Sequence, residues 1–129
     1  MAVTTVFVVS NDPAIRDSLS ELVASAGLTA ETFRSLDIWL GAVPPERGGC
    51  LVLDARVRDL NGPERLARFA SVCARRPVLL LIDRGDVPAA VRAIKEGAVD
   101  VVEKPLRGDG LLERVKRAAA TERDARATR

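Results

Sequence analysis

The feature that most constrains the fold is an alternation of short apolar runs with helix-patterned segments, repeated five times along 129 residues. Val3–Val9 is a β-branched run. Asn11-Asp12-Pro13 then supplies a helix start, with proline in the first turn. Ile15, Leu19, Leu22, Val23 and Ala26 follow at helical spacing, and Gly27 stops them. Thr29–Phe33 reads as a weaker strand, and Ser35 caps a short helix holding Leu36, Trp39 and Leu40. A Pro/Gly-rich loop, Val43 to Gly49, precedes the third strand, Cys50–Leu53, which ends at Asp54. The loop Ala55–Asn61 leads through Gly62-Pro63 into a helix with Leu66, Phe69 and Cys73 on one side. Pro77 opens the strand Val78–Ile82. Val87, Val91 and Ile94 mark the fourth helix, stopped by Gly97. Val99–Val102 is the fifth strand, and Leu111, Leu112, Val115 and Ala119 mark the last helix. Five β–α units predict an α/β fold with a parallel sheet, helices on both faces and right-handed crossovers. Chemistry in such folds gathers beyond the carboxyl ends of the strands. Those ends are Ser10-Asn11-Asp12, Asp54, Ile82-Asp83 and Lys104.

Composition agrees and excludes several functions. Aromatic residues make up only 3% of the chain, so Val, Leu, Ile and Ala must build the core, as suits a buried parallel sheet under Ala-rich helices. There is no histidine, and Cys50 and Cys73 lie far apart without a CxxC. Zinc, haem and histidine-based acid/base catalysis are therefore unsupported, and free thiols in a reducing cytosol are expected. The net charge of +2 is too mild for a nucleic-acid face. Residues 107–129 hold seven Lys/Arg against four acids, which reads as a solvated helix face running into a linker. The amino-terminal run is too short, and lacks the basic start, for a secretion signal. No window approaches the roughly 20 apolar residues of a membrane span. One domain over 1–120 and a tail or linker stub over 121–129 are expected, because the apolar stripe is lost after Ala120 and the tail then frays or continues as a linker.

Asp54 directly follows an apolar strand, so its carboxylate projects from the sheet edge. Lys104, in Glu103-Lys104-Pro105, can reach it across the mouth of the sheet. An Asp–Lys pair alone is equally a plain structural ion pair. The surrounding residues are more specific: Arg56-Val57-Arg58-Asp59-Leu60-Asn61-Gly62 after Asp54, then Gly85-Asp86-Val87-Pro88-Ala89-Ala90-Val91, Ala93-Ile94-Lys95-Glu96-Gly97-Ala98-Val99-Asp100 and Glu103-Lys104-Pro105-Leu106. With these the chain resembles the receiver domains of two-component response regulators, a CheY-like superfamily, and within them the FixJ-like branch, over about residues 3–120. The resemblance implies a flavodoxin-like (βα)5 three-layer sandwich with strand order 2-1-3-4-5. It implies Asp54 as phosphoacceptor for a sensor histidine kinase, Lys104 as its phosphate and carboxylate partner, and a cis peptide before Pro105.

The same resemblance exposes departures. Family members neutralise the transferred phosphoryl group with Mg²⁺. They hold the ion by two acids after strand 1, by the phosphoacceptor and by a backbone carbonyl two residues beyond it. In this chain those positions are Ser10, Asn11, Asp54 and the backbone of Arg56. Ser10 and Asn11 offer oxygens without charge, whereas Mg²⁺ favours carboxylates. Ser10, Asn11, Asp54 and Lys104 sum to zero, against −2 with both acids present. That loss costs on the order of several kcal/mol in cation affinity. Asp12, one residue on, is either an N-cap for the helix opened by Pro13 or a water-bridged rescue ligand. The family's Ser/Thr switch position falls on Ile82, which has no donor. The usually small position after it is Asp83, which either repels an incoming phosphoryl group, is simply solvated, or partly replaces the lost acids. The switch aromatic falls on Val101, which stays packed.

These departures lead to the expectation of a degenerate pseudo-receiver. It is not an enzyme, Mg²⁺ binding is weakened or absent, and it signals by protein–protein contact with little or no phosphorylation. The alternative is a working phosphoacceptor at Asp54 that regulates an attached or separate transcriptional output. Expected partners are a sensor histidine kinase or another signalling protein, and a second copy through residues 86–118. That face carries Arg92, Lys95, Glu96, Arg107, Glu113 and Arg117. No nucleic acid or membrane contact is expected of this domain, and its expected location is cytoplasmic.

Overall fold

A computed structural model describes residues 4–60 and 63–127 of the chain. The elements run β1 (Thr5–Val9), α1 (Pro13–Ser25), β2 (Thr29–Phe33), α2 (Leu36–Ala42), β3 (Cys50–Asp54), a 3₁₀ turn (Arg58–Leu60), α3 (Arg65–Arg75), β4 (Val78–Ile82), α4 (Val87–Lys95), β5 (Asp100–Glu103) and α5 (Gly108–Ala127). All strand pairs are parallel, and the sheet order is β2-β1-β3-β4-β5. This is the flavodoxin-like α/β architecture that the alternation and the resemblance imply. Val3, Asn61 and Gly62, which the sequence reading placed in a strand and a loop, lie outside the described residues.

The period-2 rule sorts the strand residues into two cores. Phe7, Val9, Leu51, Leu53, Val78, Leu80 and Ile82 face α2, α3 and α4, where Leu36, Trp39, Phe69, Val72 and Ala93 meet them. Val6, Val8, Cys50, Val52, Leu79 and Leu81 face α1 and α5, where Leu19, Val23, Leu111, Val115, Ala118 and Ala119 close over them. β3 and β4 are buried along their whole length, so unbroken apolar runs form the centre of the sheet. The caps are local. Asp12 precedes Pro13 and its side chain accepts from Ala14 N, Ser35 accepts from Ile38 N, and Asp86 accepts from Ala89 N.

The packing adds three details to the sequence reading. The stripe Val87, Val91 and Ile94 does not face the core: these side chains are 61%, 49% and 53% exposed. The opposite, alanine-lined face packs instead, with Ala93 buried and Ala89 and Ala90 half-buried, because small side chains let α4 lie close on the sheet. Leu40 and Leu66 are likewise exposed, and Val72 takes the inward position beside Phe69. Finally, the chain does not fray after Ala120. α5 runs to Ala127, and Glu122 is buried, with its Oε1 accepting from Gly49 N at 2.8 Å. The same carboxylate lies near Arg76, whose guanidinium is buried over the rings of Phe7 and Trp39. Burial pulls the Arg76 pKa down and the Glu122 charge partly restores it.

Candidate functional site

The carboxyl ends of β1, β3, β4 and β5 bring four side chains together. Asp54, the last residue of β3, is 1% exposed. Its register opposite Leu81 fixes it at the sheet edge. Lys104 follows β5 and precedes a cis Lys104–Pro105 peptide. Its Nζ donates to Asp54 Oδ1 at 2.8 Å. The amide N–H of Arg56 donates to the same oxygen at 3.1 Å. The other carboxylate oxygen, Oδ2, accepts from Ser10 Oγ at 2.8 Å. Both oxygens of the buried carboxylate are thus engaged, one by a cation and one by a neutral hydroxyl.

Ser10 is fully buried at the end of β1, and its hydroxyl also accepts from the amide of Asp12 at 3.1 Å. A hydroxyl has one proton. With that proton on Asp54 and the Asp12 amide on its oxygen, Ser10 makes two hydrogen bonds within the protein and brings no charge. Asn11 is exposed, and Asp12 spends Oδ1 on Ala14 N at 2.9 Å as the helix cap. The bond from Arg56 to Asp54 uses the amide N–H, and the Arg56 carbonyl oxygen is a separate group. The residues that the sequence aligns with a metal site therefore supply one carboxylate, already paired with lysine. Among the described residues, no three His, Cys, Asp or Glu side chains gather at one point. Mg²⁺ is held through carboxylate oxygens and retained waters, and beside Asp54 the one further carboxylate among Ser10, Asn11, Asp12 and Arg56 is that of the cap Asp12.

Ile82 and Asp83 stand at the end of β4, and Val101 lies within β5. Ile82 is buried at the end of β4 and presents only hydrocarbon. Asp83 stands at the rim, half-exposed, with Oδ1 at 3.8 Å from Arg56 Nη1 and 3.9 Å from Lys104 Nζ. These are long, solvated contacts that contribute little on their own. Val101 is half-buried against the α4-side core.

Two further participants were not foreseen. Arg16, one turn into α1, donates from Nη1 to the Ser10 carbonyl at 2.7 Å and ties the β1 end to the helix. Asp59 accepts from the amides of Leu36 and Asp37, at 3.2 and 2.6 Å, and so pins the turn after β3 to the start of α2. Arg16 reaches a backbone carbonyl six residues earlier, which no side-chain spacing marks. Asp59 reaches a helix 22 residues earlier and carries no local signature.

Residues 6–116 match the model of the response regulator receiver domain family. The chain is 40% identical over 113 residues to the transcriptional regulatory protein FixJ of Bradyrhizobium diazoefficiens, covering 88% of this chain and 55% of that protein. It is 41% identical over 119 residues to nodulation protein W of the same organism, covering 92% and 52%. The chain thus spans about half the length of these relatives. Among solved structures it is similar to FixJ-N, with a TM-score of 0.78, 33% identity and coverage of 93% of this chain and 96% of that one.

Proposed function

The chain belongs to the response regulator receiver domain family, and on that premise we propose that it is a degenerate receiver, signalling through protein contacts with little or no phosphorylation of Asp54. One observation carries this reading: Ser10 and Lys104 hold both oxygens of a carboxylate that is 1% exposed. Phosphoryl transfer needs one of those oxygens to reach phosphorus in line with the leaving group. It also needs positive charge around the three spreading oxygens. Here each oxygen that could attack is already drawn to a donor, which lowers its nucleophilicity, and the Ser10/Asn11 pair brings no charge with which to recruit a cation. The Ile82 side chain offers no donor to a phosphoryl oxygen. The resting state then persists, because no charge arrives to draw Lys104 from Asp54.

Output in this reading uses the face of α4, β5 and α5. Val87, Val91 and Ile94 are exposed on α4, and Arg92, Lys95, Arg107, Glu113 and Arg117 are exposed on α4, on α5 and just before α5. Exposed apolar side chains together with mixed charges suit a second copy or an effector protein. No described helix is long and apolar enough to cross a membrane, and we place the domain in the cytoplasm with its kinase or other signalling partner.

A second reading has its own support. Asp54 and Lys104 stand at 2.8 Å at the sheet edge, and phosphorylation by a sensor histidine kinase would drive an attached or separate transcriptional output. Beryllofluoride, a phosphoryl mimic, separates the two. Titrated with Mg²⁺ and followed by NMR of the amides of Asp54, Ala55 and Lys104, the degenerate receiver gives no saturable shift. A saturable shift that is absent in Asp54→Asn establishes the phosphoacceptor instead.

A further inference from the structure

Beside the Asp54 mouth, on the α1–α2 side, lies an open cavity of about 520 Å³. Its wall comes from three strand ends: Asn11 and Arg16 after β1, Arg34 and Ser35 after β2, and Arg58 and Asp59 after β3. The two acids of the wall are committed elsewhere. Asp37 pairs with Arg68, and Asp59 spends both oxygens on the amides of Leu36 and Asp37. The arginines are less committed. Arg16 gives one nitrogen to the Ser10 carbonyl. Arg34 and Arg58 have no ion-pair partner among the described residues. Formally the wall carries three positive charges against two negative.

We infer that this basin binds a small phosphate-bearing anion without a divalent cation. Guanidinium groups present planar pairs of N–H donors that match phosphate oxygens. Three guanidinium groups from separate segments line a concavity within the usual volume of small-ligand sites, roughly 300–1,000 Å³. A concave wall of this size favours a small ligand over the flat acidic face of a protein. Ile38, 43% exposed, stands in the same wall and offers an apolar surface to the body of a phosphomonoester. Binding here is non-covalent and independent of phosphorylation at Asp54, so it stands whether or not the degenerate-receiver reading holds.

The test is an NMR titration of the full 129-residue chain in EDTA, with inorganic phosphate in one arm and phenyl phosphate in the other. Expected are saturable shifts at Arg16, Arg34 and Arg58. Tighter binding of phenyl phosphate would identify a phosphomonoester, and equal binding free phosphate, as the preferred source. Arg34→Gln/Arg58→Gln is expected to weaken binding at least about 10-fold, by loss of charge-assisted contacts. The charge-matched control Arg107→Gln/Arg117→Gln retains it, with folding of each variant checked by circular dichroism. Absence of saturable shifts overturns the inference. So do shifts that need Mg²⁺, shifts unchanged in the double variant, and binding of hexaglutamate with neither phosphate compound.

Discussion

Ser10 Oγ donates to Asp54 Oδ2 at 2.8 Å, joining the ends of β1 and β3 across 44 residues with both side chains buried. The carboxylate is satisfied from within the chain: Ser10 gives it a neutral donor and Lys104 a cation.

Ser10→Ala removes the donor from Oδ2 and the acceptor from the Asp12 amide. Leaving polar groups of this kind without partners costs about 1–3 kcal/mol. The expected outcome is a lower urea midpoint with an unchanged slope. A midpoint equal to that of the parent would show that water replaces the hydroxyl without loss.

Lys104→Ala leaves a buried carboxylate without its cation, whereas Asp54→Asn leaves a lysine that can turn to solvent, its side chain being 20% exposed. The first is expected to cost about 2–4 kcal/mol, below the fully buried limit because water reaches the lysine. The second is expected to cost less. Urea unfolding of the two variants checks the order, and equal losses would contradict it.

At the opposite end of the sheet, Gly49 has φ +141°, and an added Cβ would meet Phe7 Cε2 at 2.6 Å and the Thr5 carbonyl oxygen at 2.8 Å. Gly49→Ala is therefore expected to destabilise by more than about 2 kcal/mol, from strained backbone and overpacking together. Ending the chain at Ala120 removes the Glu122 carboxylate from the Gly49 amide and from the neighbourhood of Arg76. That truncation is expected to cost about 1–3 kcal/mol. Thermal unfolding of both variants measures these losses. A truncated chain as stable as its parent would show that residues after Ala120 contribute nothing to the domain.

The sheet was legible because β3 and β4 are unbroken apolar runs with Asp54 and Asp83 marking where they end. The helix starts were legible because Asp12, Ser35 and Asp86 cap through their own side chains within three residues. Orientation on α4 was not, since it carries two faces that could pack. Bulk favoured Val87, Val91 and Ile94, and closeness of approach favoured the alanines. The far part of α5 was misread for a related reason. Its anchor is a glutamate that finds a partner 73 residues away, and hydrophobic periodicity is blind to a buried charge. At the site, Ser10 was readable as an uncharged oxygen. That it points at Asp54, and not at solvent or a cation, follows only once β1 and β3 lie side by side.

Cys50 is buried and Cys73 half-buried. Burial pushes the Cys50 thiol up to about 12, with Glu122 adding to the rise, and pushes Cys73 up to about 11, with Glu96 adding. The folded state therefore holds these protons more tightly than the unfolded chain. The associated stability is intact below the ordinary thiol range and is lost as pH rises through about 11 to 12. Near neutral pH, labelling by a disulfide reagent is expected to be at least about 100-fold slower in the native chain than in urea, because the thiolate is the reacting form. Rapid labelling of either thiol in the native state would contradict this burial.

If charge at the β1 end decides the chemistry, then Ser10→Asp/Asn11→Asp should restore it. The double variant is expected to bind Mg²⁺ at least about 10-fold more tightly than its parent, as two carboxylates replace neutral oxygens around the cation. Calorimetric titration measures the gain. Equal affinity in the two proteins would place the barrier elsewhere, at Ile82 or Asp83.

The most direct measurement is the intact mass of the parent chain after incubation with Mg²⁺ and acetyl phosphate, alongside Asp54→Asn and Ser10→Asp/Asn11→Asp. The locked Asp54–Ser10–Lys104 arrangement predicts no added phosphoryl group on the parent and partial modification of the double variant. Prompt, Asp54-dependent gain of one phosphoryl group by the parent would contradict it.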